Sequence, residues 1–429
     1  MFRTYAFTEM PYPYIPGEEV MRSNRTNIPN AWYDPDTGQQ LYKKYIDILC
    51  AADELGLDIM FNEHHSTMSC TDSVMPLMMS TIAHQTHRAR LLALGNPVAN
   101  RPDPVRVAEE MAFIDVLSGG RLECGFVRGV PMEMSATNAS PVDMKPRFYE
   151  AIDLIMKAWT THDGPFSWEG DFFHHRNVNI IPRPYQTPHP PVWITTLTPG
   201  SVAEIADRGY GLATILNGKK LCKAIFDGYR SRLAELRQPA PHLDRFAYLA
   251  LVFVGESDAE ARQEARKLQW FIQEQRRTLP QFIDVPGYID PRARASVLKN
   301  AAHGGAAELS PGRLDFNSFA YGPIDPIVEG GFSFFGSPDS VFEQMKDFFH
   351  SVGGFGNLLA MMHSSTMSYA LTRKSMELFA KEVLPRFREE VYEPELRALG
   401  LDGTLSAIGG VPSSPVHRTA LHGTAQVLP

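Results

Sequence analysis

The chain has 429 residues, 44% apolar and 21% charged, and its 41 basic against 49 acidic residues leave a net charge of −8. That is the composition of a globular protein with a sizeable core, and the acidic balance argues against nucleic acid or an anionic membrane as partner. The longest apolar run, residues 246–254, is too short to cross a bilayer, no signal-peptide pattern opens the chain, and the cysteines at 50, 70, 124 and 222 include no CxxC pair, so the expectation is a cytoplasmic protein.

Residues 2–8 read as a short strand, followed by a Pro-, Asn- and Gly-rich loop. Leu41, Tyr45, Ile48, Leu49 and Ala52 have helical spacing within 40–55. Residues 57–61 form a second strand, 74–84 a Met-rich helix and 90–94 a third strand. Asp103 caps a helix with Pro104 at its first position, and Gly119-Gly120 ends it. Residues 121–126 are a fourth strand, 148–159 a helix and 167–180 a hairpin. Strands at 192–195, 212–215 and 246–254 alternate with helices from Pro199, over 219–236 and over 257–276.

Residues 278–335 are rich in Pro and Gly and break this rhythm. A helix at 340–349, an eighth strand at 357–362 and a helix at 366–389 follow. Eight strands alternating with helices predict an α/β fold closed as a (β/α)8 TIM barrel, with insertions at its C-terminal mouth. One barrel is expected over 1–395, with about 278–335 as an insertion or lid and 396–429 as a flexible tail.

In such a barrel the residues just after each strand face the site. Asn62-Glu63-His64-His65 follow strand two, and suit either an acid/base pair, metal ligands or local structure. Gly95-Asn96-Pro97 follow strand three, where glycine permits close approach of a flat ligand. Arg128 follows strand four between glycines and suits a phosphate. Thr198-Pro199-Gly200-Ser201-Val202 follow strand five and open a helix whose free N–H groups suit the same phosphate. No GxGxxG fingerprint marks a nicotinamide site.

The stretch 91–130, LLALGNPVANRPDPVRVAEEMAFIDVLSGGRLECGFVRGV, resembles the bacterial luciferase-like family of flavin-dependent monooxygenases. Glu63-His64-His65, TPHPPVWIT at 187–195 and FGSPDSVFEQM at 335–345 agree with it, and the likeness covers roughly 1–395. The resemblance implies an FMN-dependent monooxygenase that uses reduced FMN and O2, through a flavin hydroperoxide, to oxygenate a small organic substrate. It implies His64 and Glu63 as catalytic residues. Asn96, Arg128, Thr198, Gly200, Ser201 and Val202 would hold the flavin, with a non-proline cis peptide near Gly95-Asn96. Met60, Asn62, Val127 and His363 would face the substrate, Asn62 or Glu63 would orient His64, and no metal is called for. Val127 stands where luciferase has a reactive cysteine, which argues against luciferase activity itself. Reduced FMN would come from a separate flavin reductase, and the chain would form a homodimer through the helices after strands two and three. Two alternatives share the fold: a deazaflavin-dependent oxidoreductase and a non-catalytic flavin-binding partner subunit.

Overall fold

The structure is a computed structural model and describes residues 1–283, 285–288 and 316–402. Strands β1 (Arg3–Thr8), β2 (Asp58–Phe61), β3 (Leu91–Asn96) and β4 (Leu122–Phe126) come first. A two-stranded antiparallel hairpin, β5 (Phe166–Glu169) and β6 (His174–Val178), stands apart from the main sheet. Strands β7 (Val192–Thr195), β8 (Gly211–Ile215), β9 (Phe246–Val254), β10 (Ser333–Gly336) and β11 (Asn357–His363) complete the set.

The main sheet runs β11-β1-β2-β3-β4-β7-β8-β9, every neighbour parallel, and β9 pairs back to β11 to close the ring. This is the closed eight-stranded barrel the strand–helix rhythm predicts. Helices α1 (Pro35–Glu54), α2 (Met75–Gln85), α3 (Pro104–Ser118), α4 (Met144–Thr160), α5 (Val202–Asp207), α6 (Gly218–Glu235) and α7 (Asp258–Arg276) connect it.

Local chemistry sets the helix ends. Asp34 accepts from Thr37 N–H at 2.9 Å and Pro35 opens α1. Asp103 accepts from Val105 and Arg106 N–H, and Gly119, at φ 68°, stops α3 in the left-handed conformation.

Alternation along the strands sorts the core into two shells. Tyr5, Met60, Leu92, Trp193, Leu249 and Met361 point into the barrel, while Ile59, Phe61, Leu91, Ala93 and Leu358 pack outward under the helices. Within the barrel, Glu123 takes the Tyr5 hydroxyl at 3.0 Å, the Trp193 indole N–H at 2.7 Å and the Arg90 guanidinium. A polar knot therefore sits within the barrel, and the opposite, C-terminal rim carries the loops.

Strand β10 departs from the sequence expectation, which gave no element to this part of 278–335. Strand β9 has nine residues, but β8 covers its edge only as far as Leu249. Residues Leu251–Val254 would leave their backbone groups unpaired, and Ser333–Gly336 takes that edge. Short helices Phe316–Tyr321 and Ile324–Glu329 lead into it, the first held by α7 through Gln269 Nε2 to Phe319 O at 3.1 Å. The last helix runs Glu393–Ala398, past the point where the flexible tail was expected to start. The rest of the expected lid, 289–315, and of the tail, 403–429, lies outside the described residues.

Candidate functional site

The loop from β1 to α1, residues 9–34, is a strap across the C-terminal rim. Tyr12 and Thr26 N–H donate to Met68 and Ser66 carbonyls of the loop after β2, at 2.8 and 2.7 Å. Thr26 Oγ1 donates to Met132 O after β4 at 2.8 Å, and Asn24 N–H donates to Arg277 O beyond α7 at 2.7 Å. The strap thus ties together three parts of the rim that are distant in sequence.

Beneath it, the residues after β2 alternate in direction, as extended neighbours do. His64 turns to Glu133, with Nδ1 2.8 Å from Oε1. Glu63 turns away and receives Arg101 Nη2 on both oxygens, at 2.8 and 2.7 Å. His65 lies between the two acids, 3.6 Å from Glu63 and 3.7 Å from Glu133. Asn62 donates to Glu9 at 2.8 Å. The group that orients His64 is therefore Glu133 and not Asn62 or Glu63, a correction to the sequence expectation: Glu63 is consumed by Arg101.

Electrostatics follow from this packing. Burial alone would raise the Glu133 carboxyl, but the adjoining His64, His65 and Arg25 outweigh it and bring it down to about 2. Burial raises the Glu63 carboxyl even against Arg101. The Glu133 contact raises His65. Asp72 is pushed up to about 8 by burial and by the nearby Glu63, so it keeps its proton at neutral pH.

The end of β3 approaches β2 closely. A Cβ on Gly95, whose φ is 153°, would meet Asn62 Cβ at 2.6 Å, so only glycine fits. The Gly95–Asn96 bond is trans; the cis bonds of the described residues are Ile181-Pro182 and Thr187-Pro188. Asn96 is fully buried, yet its side-chain oxygen and nitrogen have no partner among the described residues; those of Asn100 are likewise unpartnered there. The Asn96 carbonyl accepts from Val98 and Val127 N–H at 2.9 and 3.0 Å.

Arg128 follows β4 half-buried, with no ion pair to any described residue, its guanidinium 4.2 Å over the Tyr288 ring. The Tyr288 hydroxyl donates to Gly129 O at 2.7 Å. Strand β7 is the neighbour of β4, so Thr198–Val202 projects beside Arg128. Tyr149, raised to about 12 by burial and by Glu204 of α5, also feels the Arg128 charge, which places both features in one neighbourhood. Thr198 and Gly200 are exposed and Ser201 is half-buried; Val202 is buried and its N–H goes to Pro199 O. Arg128 with no ion pair, orphaned Asn96 atoms and an exposed helix start fit a planar ligand ending in a phosphate.

His363 does not reach the mouth, contrary to the sequence expectation. Register slips between β1 and β11, where Phe7 faces Met361 but Thr8 faces His363. The extra residue turns the imidazole outward. It packs edge-on to Tyr45 of α1, 5.6 Å between ring centres, with Nδ1 2.7 Å from Thr372 Oγ1. Met60 lies in the inner barrel core and is 2% exposed, whereas Val127 is half-buried at the rim. Among the described residues no three His, Cys, Asp or Glu side chains converge as metal ligands, and no helix is long and apolar enough to cross a membrane.

A family model for luciferase-like monooxygenases matches residues 29–354. The chain belongs to the luciferase-like monooxygenase family. Among curated relatives of this luciferase-like chain, the uncharacterized protein y4wF of Sinorhizobium fredii is 32% identical over 231 residues, 53% of this chain and 66% of that protein. The oxygenase component of a flavin-dependent trigonelline monooxygenase from Acinetobacter baylyi is 26% identical over 247 residues, 56% of this chain and 66% of that one. The chain thus spans just under two thirds of the length of each. The oxygenating constituent of 3,6-diketocamphane monooxygenase from Pseudomonas putida, a type II Baeyer–Villiger enzyme solved with FMN, superposes with TM-score 0.66. It is 19% identical, over 90% of this chain and 99% of that one, a likeness of fold.

Proposed function

We propose that this luciferase-like chain is the oxygenase component of a two-component flavin-dependent monooxygenase. It takes reduced FMN from a separate reductase and puts one oxygen atom of O2 into a small organic substrate. The observation that carries the reading is Arg128, a rim cation with no ion pair to a described residue, beside the orphaned Asn96 amide and next to the Thr198 helix start. Family membership and the relative named as an oxygenase component support it.

Arg128 and the N–H groups of Gly200 and Ser201 would hold the phosphate, and Asn96 would meet the ring system. Reduced FMN, when bound, supplies the electrons that activate O2. His64 holds and moves the proton: Nδ1 is fixed on Glu133, which leaves Nε2 as the exchanging atom. Val127 and the strap keep water from the rim.

The helices after β2 and β3 expose Leu77, Phe113, Val116 and Leu117 on one side of the barrel. This patch supports the homodimer. The cytoplasm is the compartment that fits a reductase-fed enzyme. The test is reduced-FMN binding under anaerobic conditions, then oxygen uptake driven by a flavin reductase with a panel of organic acids, ketones and N-heterocycles. Oxygenated product confirms the reading; binding of a deazaflavin in preference to FMN overturns it.

A further inference from the structure

We infer that Arg25 forms an anion subsite beside His64, and that the substrate it receives carries a carboxylate. The inference rests on the oxygenase reading above and names the substrate class for it.

Arg25 comes from the strap rather than from a barrel strand. Its side chain is 2% exposed, among the largest fully buried in the protein. Its backbone is well fixed: Ser23 Oγ donates to Arg25 O at 2.6 Å, and an antiparallel bridge joins it to Thr67. Its guanidinium is not. Among the described residues Nε has no hydrogen-bond partner, and the ion-paired oxygen, Glu133 Oε1, is 3.7 Å from Nη1, beyond hydrogen-bond range. That same oxygen is already engaged by His64 at 2.8 Å. His65 Nδ1, also buried and without a hydrogen bond, is 3.7 Å from Glu133 Oε2.

Arg277, also buried, and Arg101, half-buried, likewise leave Nε unpartnered, but both use their terminal nitrogens. Arg277 donates to Glu274 at 2.9 Å, to Pro16 O at 2.8 Å and to Met21 O. Arg101 lays Nη2 on both oxygens of Glu63. A guanidinium carries five N–H donors in a planar fork, and leaving them unmade in a buried site is costly. Arg25 therefore has donors to spend beside His64. A carboxylate matches the fork in shape and charge. The phosphate of the flavin is already provided for at Arg128, on the β4–β7 side of the rim, so the anion at Arg25 belongs to the substrate.

The test uses the full chain and four small probes: benzoate and nicotinate, with benzamide and nicotinamide as uncharged counterparts. Calorimetry follows their binding to the free protein and, anaerobically, to the protein with reduced FMN. Carboxylates are expected to bind at least about tenfold tighter than their amides. Arg25→Gln should remove that preference and Arg25→Lys should keep part of it, both with reduced-FMN affinity unchanged. Equal binding of acid and amide by the parent, or no binding of either, overturns the proposal even if the variants fail to fold. A loss of reduced-FMN affinity in Arg25→Gln, with benzoate binding intact, also overturns it by assigning the guanidinium to the flavin. A parent that prefers benzoate but binds no reduced FMN leaves the subsite standing and defeats the oxygenase reading instead.

Discussion

His64 Nδ1 lies 2.8 Å from Glu133 Oε1, although the two residues stand 69 positions apart and follow different barrel strands. Glu133 is 2% exposed and His64 only half-buried, so the acid is the fixed partner and the imidazole the more accessible one. Glu133→Gln keeps a hydrogen-bonding side chain but removes the charge that holds an imidazolium. Turnover should fall about 10- to 100-fold while reduced-FMN affinity stays within about threefold. Stopped-flow turnover, with a separate flavin titration, checks this. Unchanged turnover would remove Glu133 from the proton path.

The same carboxylate links stability to pH. Its folded value, about 2, lies below the ordinary 4.5, so the unfolded chain binds its proton first as pH falls. The stabilisation is present above 4.5 and is lost as pH falls towards about 2. Glu133→Gln should cost on the order of 3 kcal/mol at neutral pH, and the gap to the parent should close in acid. Denaturant melts at several pH values measure both quantities.

Asp72 has the opposite sign. Its folded value of about 8 exceeds the ordinary 3.8, so the folded state holds a proton that the unfolded state gives up. Stability attributable to Asp72 therefore falls as pH rises from 3.8 to about 8. Asp72→Asn should raise the melting temperature at pH 8 and change little at pH 4. A variant that melts lower at pH 8 would show that the ionised carboxylate has a partner there.

His363 is placed outside the barrel, and burial together with Lys44 keeps its imidazole neutral well below the usual range. His363→Ala should lower stability by about 1–3 kcal/mol through the cavity and the orphaned Thr372. It should leave reduced-FMN affinity unaffected. Because the unfolded imidazole takes up a proton below about 6.5 and the folded one does not, the penalty of the substitution should shrink as pH falls through 6.5. Weakened flavin binding would return His363 to the mouth.

The eight barrel strands were legible because each is a short apolar run bounded by helix caps that obey ordinary rules, as with Asp103, Pro104 and Gly119 around α3. The ninth, Ser333–Gly336, was not, because four residues between glycines carry too little period to stand out, and their reason lies in the unpaired edge of β9. Arg128, Asn96 and His64 could be found from position alone, since each follows a strand. Arg25, Arg101 and Glu133 could not. They reach the rim from loops, and their partners are set by how the strap closes, which local sequence does not encode. His363 was misplaced by a one-residue slip that flips a side chain across the sheet.

Anaerobic fluorescence titration of photoreduced FMN into the parent and Arg128→Ala asks whether the C-terminal rim holds reduced FMN through Arg128. Saturable binding by the parent is expected, with a loss of about 10- to 100-fold in the variant, the worth of charge-assisted hydrogen bonds to a phosphate, and a melting temperature lowered only slightly, by the lost stacking on Tyr288. Equal affinity in the two proteins would remove Arg128 from the flavin site.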